Sequence, residues 1–138
     1  MSPAIFDPCV AWEGLGEWTF MESVTLLDGP MGTELAARGV ATPLPAWSAA
    51  ALRDAPEVVA AIHRDYAAAG AEVHTAATFR TRARNVGARW EELARLAVRL
   101  AREAMPPGAR VAGSLAPLGD CYRPEESPPD PRPEHRAL

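Results

Sequence analysis

Asp28 stands at the end of an apolar run in LLDGPMGTEL (residues 26–35), where Gly29, Pro30 and Gly32 tighten the backbone before a stretch that reads as a helix. A carboxylate at such a turn can cap the helix through its backbone amides, or it can hold a cation such as a ligand's ammonium group. TAATF (75–79) and SLAPLGD (114–120) have comparable positions, each just after a run that reads as a strand. In parallel sheets, ligand sites lie beyond the carboxyl ends of the strands. Three such ends therefore suggest one shared pocket.

Other chemistry is sparsely represented. All 14 basic residues are arginine, which excludes Schiff-base lysine catalysis within the chain. Cys9 and Cys121 are far apart, with no CxxC or Cys/His cluster, so neither a zinc motif nor a disulfide framework is signalled. His63 falls within a helical pattern and reads as a surface or packing residue. His74 alternates inside a strand and reads as a core residue, and His135 lies in the last segment. None has a nucleophile or carboxylate at a recognisable spacing, so none is assigned catalysis.

The elements that must position these residues follow from periodicity. VTLL (24–27) predicts a short buried strand, and MGTELAARG (31–39) a short helix ended by Gly39. WSAAALRD (47–54) predicts one or two helical turns. Asp54 and Glu57 form a D-x-x-E capping arrangement, Pro56 suits a first turn, and Val59, Ile62, Tyr66 and Ala69 recur at helical spacing up to Gly70. AEVHTAATF (71–79) predicts a second strand, and RTRARNVGA (80–88) a polar excursion. A helix from about Trp90 to Met105 carries Leu93, Leu96, Ala97, Leu100 and Ala104 on one face, with Glu91 four residues before Arg95. ARVAGSL (109–115) predicts a third strand. A proline-rich loop then leads to PEHRAL (133–138), which reads as the start of another helix. Strands alternating with helix-length segments mean βαβ units and a parallel sheet.

Length and composition fit one globular domain: 138 residues, 48% of them apolar, with a net charge of −4. No basic stripe suggests a nucleic-acid partner, no apolar run reaches the roughly 20 residues of a membrane span, and the start lacks a secretory signal. A reducing cytoplasm is the expected compartment. Residues 1–22 have no sustained period and read as an irregular arm; Met21 is as good an initiator as Met1.

LLDGPMGTELAARG, the spaced WS, PEVVAAIHRDYAAAGAEVHTAATFRT and VAGSLAPLGD together resemble the amino-terminal part of the homocysteine S-methyltransferase family. The resemblance implies an α/β fold for residues 23–138: the first three βα units of a (β/α)8 TIM barrel, less than half of it. It implies an intact enzyme that transfers a methyl group from a methyl donor to the thiolate of zinc-bound homocysteine, giving methionine. Asp28 would hold the amino acid end of homocysteine, Met31 would line the cavity, and Thr78 and Phe79 would supply polar and apolar wall. Ala77 stands where many relatives have asparagine, Pro30 where a small residue is commoner, and Ala116 where glycine is frequent. The family's three zinc cysteines lie in its carboxyl-terminal half, and Cys121 matches none of them. No zinc is therefore expected to be held by this chain alone, which should be inactive by itself.

Two other readings compete. An open parallel edge is a template for association, so the chain could be a non-catalytic remnant or interaction module that pairs with another copy or another chain. A small doubly wound domain could use GPMGTE (29–34) as a phosphate loop, but the stretch lacks G-x-G-x-x-G and Glu34 would repel phosphate.

Overall fold

The computed structural model describes residues 24–119 and 121–136. The arm expected over residues 1–22 and the choice between Met1 and Met21 lie outside them. Helix α1 spans Met31–Ala37, and a 3-10 turn, Trp47–Ala50, runs into α2, Ala51–Asp54. Helix α3 spans Pro56–Ala68 and leads to strand β1, Val73–Thr75. Short helix α4, Ala83–Val86, and a 3-10 turn, Gly87–Arg89, precede α5, Trp90–Ala104. Strand β2, Arg110–Ala112, a 3-10 turn, Pro124–Glu126, and α6, Arg132–Arg136, complete the order.

Strands β1 and β2 pair in parallel, with Val73 opposite Arg110, His74 opposite Val111 and Thr75 opposite Ala112. Leu27 adds one parallel bridge to Val73 on the other side of β1, so the chain order across the sheet is Leu27, β1, β2. The first expected strand, VTLL, is thus reduced to a single bridge, held by amide bonds from Glu72 and Val73 to the Leu26 carbonyl and from Asp28 to the Val73 carbonyl. It is not buried either: Val24, Leu26 and Leu27 are 61%, 51% and 67% exposed. A strand buried on both faces needs covering layers and a second neighbour. Nothing among the described residues supplies them.

The core lies between the sheet and the helices. Val59 and Ile62 of α3, Leu35 of α1, Leu52 of α2 and Leu93, Ala97 and Ala101 of α5 are buried. The α5 register agrees with its periodicity, although the innermost line is the i, i+4, i+8 row and Leu96 and Leu100 are only half-buried. Glu91 accepts from Arg95 at 2.6 Å, the expected i, i+4 pair; both side chains are exposed, and such pairs add little stability. The cap expected of Asp54 is not made. Ala55 is the residue before α3 and makes no side-chain cap, while Asp54 accepts both guanidinium bonds from Arg53 at 2.6 and 2.8 Å. The adjacent arginine outcompetes the helix amides because its hydrogen bonds carry charge on both partners.

Gly29 is required by a close approach. A Cβ built there would lie 2.6 Å from the Tyr66 hydroxyl and 2.7 Å from the ring. Gly29→Ala is therefore expected to push the α3 phenol off its seat and to destabilise the fold by about 1 to 3 kcal/mol, the usual range for overpacking. Urea melts of the two proteins measure this, and an unchanged midpoint would mean that Tyr66 yields freely.

Candidate functional site

Asp28 follows the Leu27 bridge directly, so the sheet fixes its backbone. Its side chain is only 3% exposed. The Asp28 Oδ2 atom accepts a hydrogen bond from the Thr75 amide at 2.8 Å, at the carboxyl end of β1. It does not cap α1: Pro30 is the residue before that helix, and no side-chain cap bond is made there. Two strand ends are thereby tied together by the acid that the sequence singled out.

A cavity of about 240 Å³ opens at this point, walled by Asp28, Met31, Trp47, Thr75, Ala77 and Phe79 among others. Three of the four residues expected from sequence therefore meet: Asp28, Met31 and Phe79. Thr78 does not line this cavity. Its hydroxyl donates to the Ser114 carbonyl at 2.9 Å and accepts from the Ser114 amide at 2.8 Å, which clamps the exits of β1 and β2. Ala77 presents only a methyl group to the cavity, so no amide contact is available there. A larger groove of about 790 Å³ runs along α5 from Thr78 past Trp90, Arg95, Val98 and Arg102, so Thr78 faces this groove instead. It contains none of the strand-end acids, so the smaller cavity is the better candidate on chemical grounds.

Trp47 was not singled out by sequence as a wall residue. It has φ of 47°, in the left-handed region that a bulky residue rarely adopts, at a cost of order 1 to 3 kcal/mol. Its amide donates to the Pro43 carbonyl at 2.7 Å, and its ring meets Phe79 edge to face with centroids 6.3 Å apart. A Cβ at Gly32 would lie 3.1 Å from the indole, so glycine there leaves room for the ring. The Arg80 guanidinium lies 5.5 Å from the Phe79 centroid on the same rim. Together these contacts form an apolar wall facing one carboxylate.

Behind the carboxylate lie two histidines that the sequence had left scattered. His63 of α3 and His74 of β1 are both fully buried, with ring centroids 5.9 Å apart. His63 Nδ1 is 3.9 Å from Asp28 Oδ2. Burial pushes the His63 imidazole below its usual pKa, Asp28 opposes that shift and His74 adds to it. Burial thus works against a protonated His63 ring beside Asp28. A signal for His63 was present in the sequence, since it lies four residues after Val59 on the buried side of α3. His135 is remote in sequence, on α6.

The resemblance implies a zinc site, and the described residues do not fit a zinc centre that activates a thiol. Cys121, the one cysteine among them, is half-buried with the Arg80 guanidinium 3.7 Å from its sulfur. The group of three candidate ligands found among the described residues is Asp28, His63 and His74, which contains no sulfur and has both imidazoles sealed from solvent. A catalytic zinc keeps a position open to its substrate.

Comparison with known proteins identifies the family. A family model described as Homocysteine S-methyltransferase matches residues 25–137. The Homocysteine S-methyltransferase of Escherichia coli (strain K12) is 35% identical over 113 residues, covering 71% of this chain and 36% of that protein. Homocysteine S-methyltransferase 4 of Zea mays is 36% identical over 85 residues, covering 57% and 25% respectively. Among solved structures, the metallated form of the homocysteine methyltransferase MmuM from Escherichia coli superposes with a TM-score of 0.64 at 33% identity, covering 75% of this chain and 41% of that one. The chain thus spans well under half the length of these relatives.

Proposed function

Given that the chain belongs to the homocysteine S-methyltransferase family, we propose that residues 23–138 are the amino-terminal part of a (β/α)8 barrel and supply the amino-acid end of its substrate site. The activity of the whole barrel is methyl transfer from a methyl donor to the homocysteine thiol, giving methionine, in the cytoplasm. The observation that carries this reading is the Asp28 carboxylate, nearly buried at a cavity rim, held by the Thr75 amide and facing the His63 imidazole, whose protonation burial opposes. Such a group attracts one cation, and an α-amino acid provides an ammonium.

Each wall then has a part in binding. Asp28 takes the ammonium, Met31, Trp47 and Phe79 exclude water around the ligand's methylene groups, and the Thr78 clamp keeps the strand ends in register. Excluding water strengthens the ion pair, since its attraction is less screened in a drier site. Activation of the thiol, with its zinc, is not assigned to the described residues, which gather no sulfur ligands.

A second reading has its own observation. Among the described residues the Leu27 side of the sheet is paired by one bridge, and Val24, Leu26 and Leu27 are exposed, a surface suited to association through the open edge. The distinguishing experiment completes the chain with the carboxyl-terminal part of a relative and titrates homocysteine calorimetrically. Saturable binding at one site per chain is expected. A folded, completed protein that binds no homocysteine overturns the substrate reading and leaves the association reading.

A further inference from the structure

We propose that, when no amino acid is bound at Asp28, Asp28, His63 and His74 form a buried site for one divalent transition cation of the zinc type, separate from any thiolate centre of the whole barrel, so that cation and ligand ammonium compete for one carboxylate. This departs from the expectation that the chain alone holds no zinc. One donor atom from each residue lies within 4.8 Å of the other two. The three residues come from three places, the turn after Leu27, helix α3 and strand β1. Binding would therefore pin the helix layer to the sheet.

The second observation is the hydrogen-bond balance of the imidazoles. His63 Nδ1, His63 Nε2 and His74 Nδ1 are buried without a hydrogen-bond partner. Native structures rarely leave such groups unmatched unless a water or an ion completes them. His74 Nε2 lies 3.2 Å from the Ala71 carbonyl. A carbonyl can only accept, so Nε2 carries the hydrogen and Nδ1 presents a lone pair. Metal-bound histidines characteristically donate their other ring N–H to a carbonyl or carboxylate, which fixes the tautomer in this way. The Thr75 amide does the corresponding work for the carboxylate by donating to Asp28 Oδ2 at 2.8 Å.

Direct pairing does not satisfy the group. At 3.9 Å the His63 and Asp28 atoms are too far apart for a hydrogen bond. Two imidazoles and one carboxylate suit zinc, cobalt, nickel or ferrous iron, and suit magnesium or calcium poorly. Ligands at about 2.0 to 2.2 Å from a tetrahedral zinc stand roughly 3.3 Å apart, so small side-chain torsions must draw the donors inward, with water as the fourth ligand.

The test uses the full 138-residue chain, stripped with chelator and free of any amino acid, so that its outcome is independent of the homocysteine reading. Zinc chloride is titrated calorimetrically, and metal content is measured after dialysis. One zinc per chain is expected, with a raised melting temperature. His74→Leu is expected to weaken zinc binding by roughly a hundredfold or more while the chain stays folded, and replacing Cys9 and Cys121 by serine should change little. His63→Gln serves if His74→Leu fails to fold. Cobalt substitution adds a readout that needs no variant: the expected spectrum lacks thiolate-to-cobalt charge transfer. No zinc uptake, unchanged affinity in folded His74→Leu and His63→Gln proteins, or a thiolate spectrum would each overturn the site.

Discussion

Ile62→Ala is expected to remove a large part of the chain's stability. Ile62 is fully buried on α3, beside Val59 in a core shared with Leu35, Leu52 and Leu93. Removing its side chain loses the transfer energy of three carbons and leaves a cavity that close-packed neighbours refill only in part, at about 2 to 5 kcal/mol. A domain of this size has about 5 to 15 kcal/mol of total stability. This fold sits toward the low end of that range, because its sheet rests on two three-residue strands and one bridge, with Leu26 and Leu27 left in solvent. Circular dichroism and urea titration measure the change. A loss below about 1 kcal/mol would mean that α3 is not the organising helix.

Asp28→Asn carries the largest expected functional effect. The amide oxygen of asparagine can still accept from the Thr75 amide, so the tie between strand ends survives and the fold should be unchanged. What disappears is the charge. A hydrogen bond to a charged group contributes about 1.5 to 3 kcal/mol, so homocysteine should bind the completed barrel roughly tenfold to a hundredfold more weakly. Had Asp28 been a helix cap, asparagine would have served equally well. The absence of that cap in the structure removes the simplest reason for a neutral outcome.

The helices were far more legible in the sequence than the sheet or the site. The α3 and α5 boundaries follow from helical spacing and from their flanking glycine and proline residues, which are local signals. The first strand was not legible, because whether VTLL (24–27) becomes a strand depends on neighbours that its own residues cannot report. The polar excursion after residue 79 contains α4 and a 3-10 turn, which are too short to show a period. Asp28 was visible as an acid at a turn, whereas its partner, the Thr75 amide 47 residues away, is set by strand pairing. His63 and His74 looked unrelated for the same reason. They meet only when α3 packs on β1, and Thr78 becomes a strand clamp only when β2 brings Ser114 beside it.

The most direct measurement of the central claim, that Asp28 meets a ligand ammonium, is a cycle of four calorimetric titrations. The completed barrel and its Asp28→Asn variant are each titrated with homocysteine and with the analogue that lacks only the amino group. Coupling between the two changes isolates their interaction from all other effects of either. Asp28→Asn should weaken homocysteine by roughly tenfold or more and leave the analogue's affinity unchanged. Equal losses for both ligands, or no loss for either, would contradict the account.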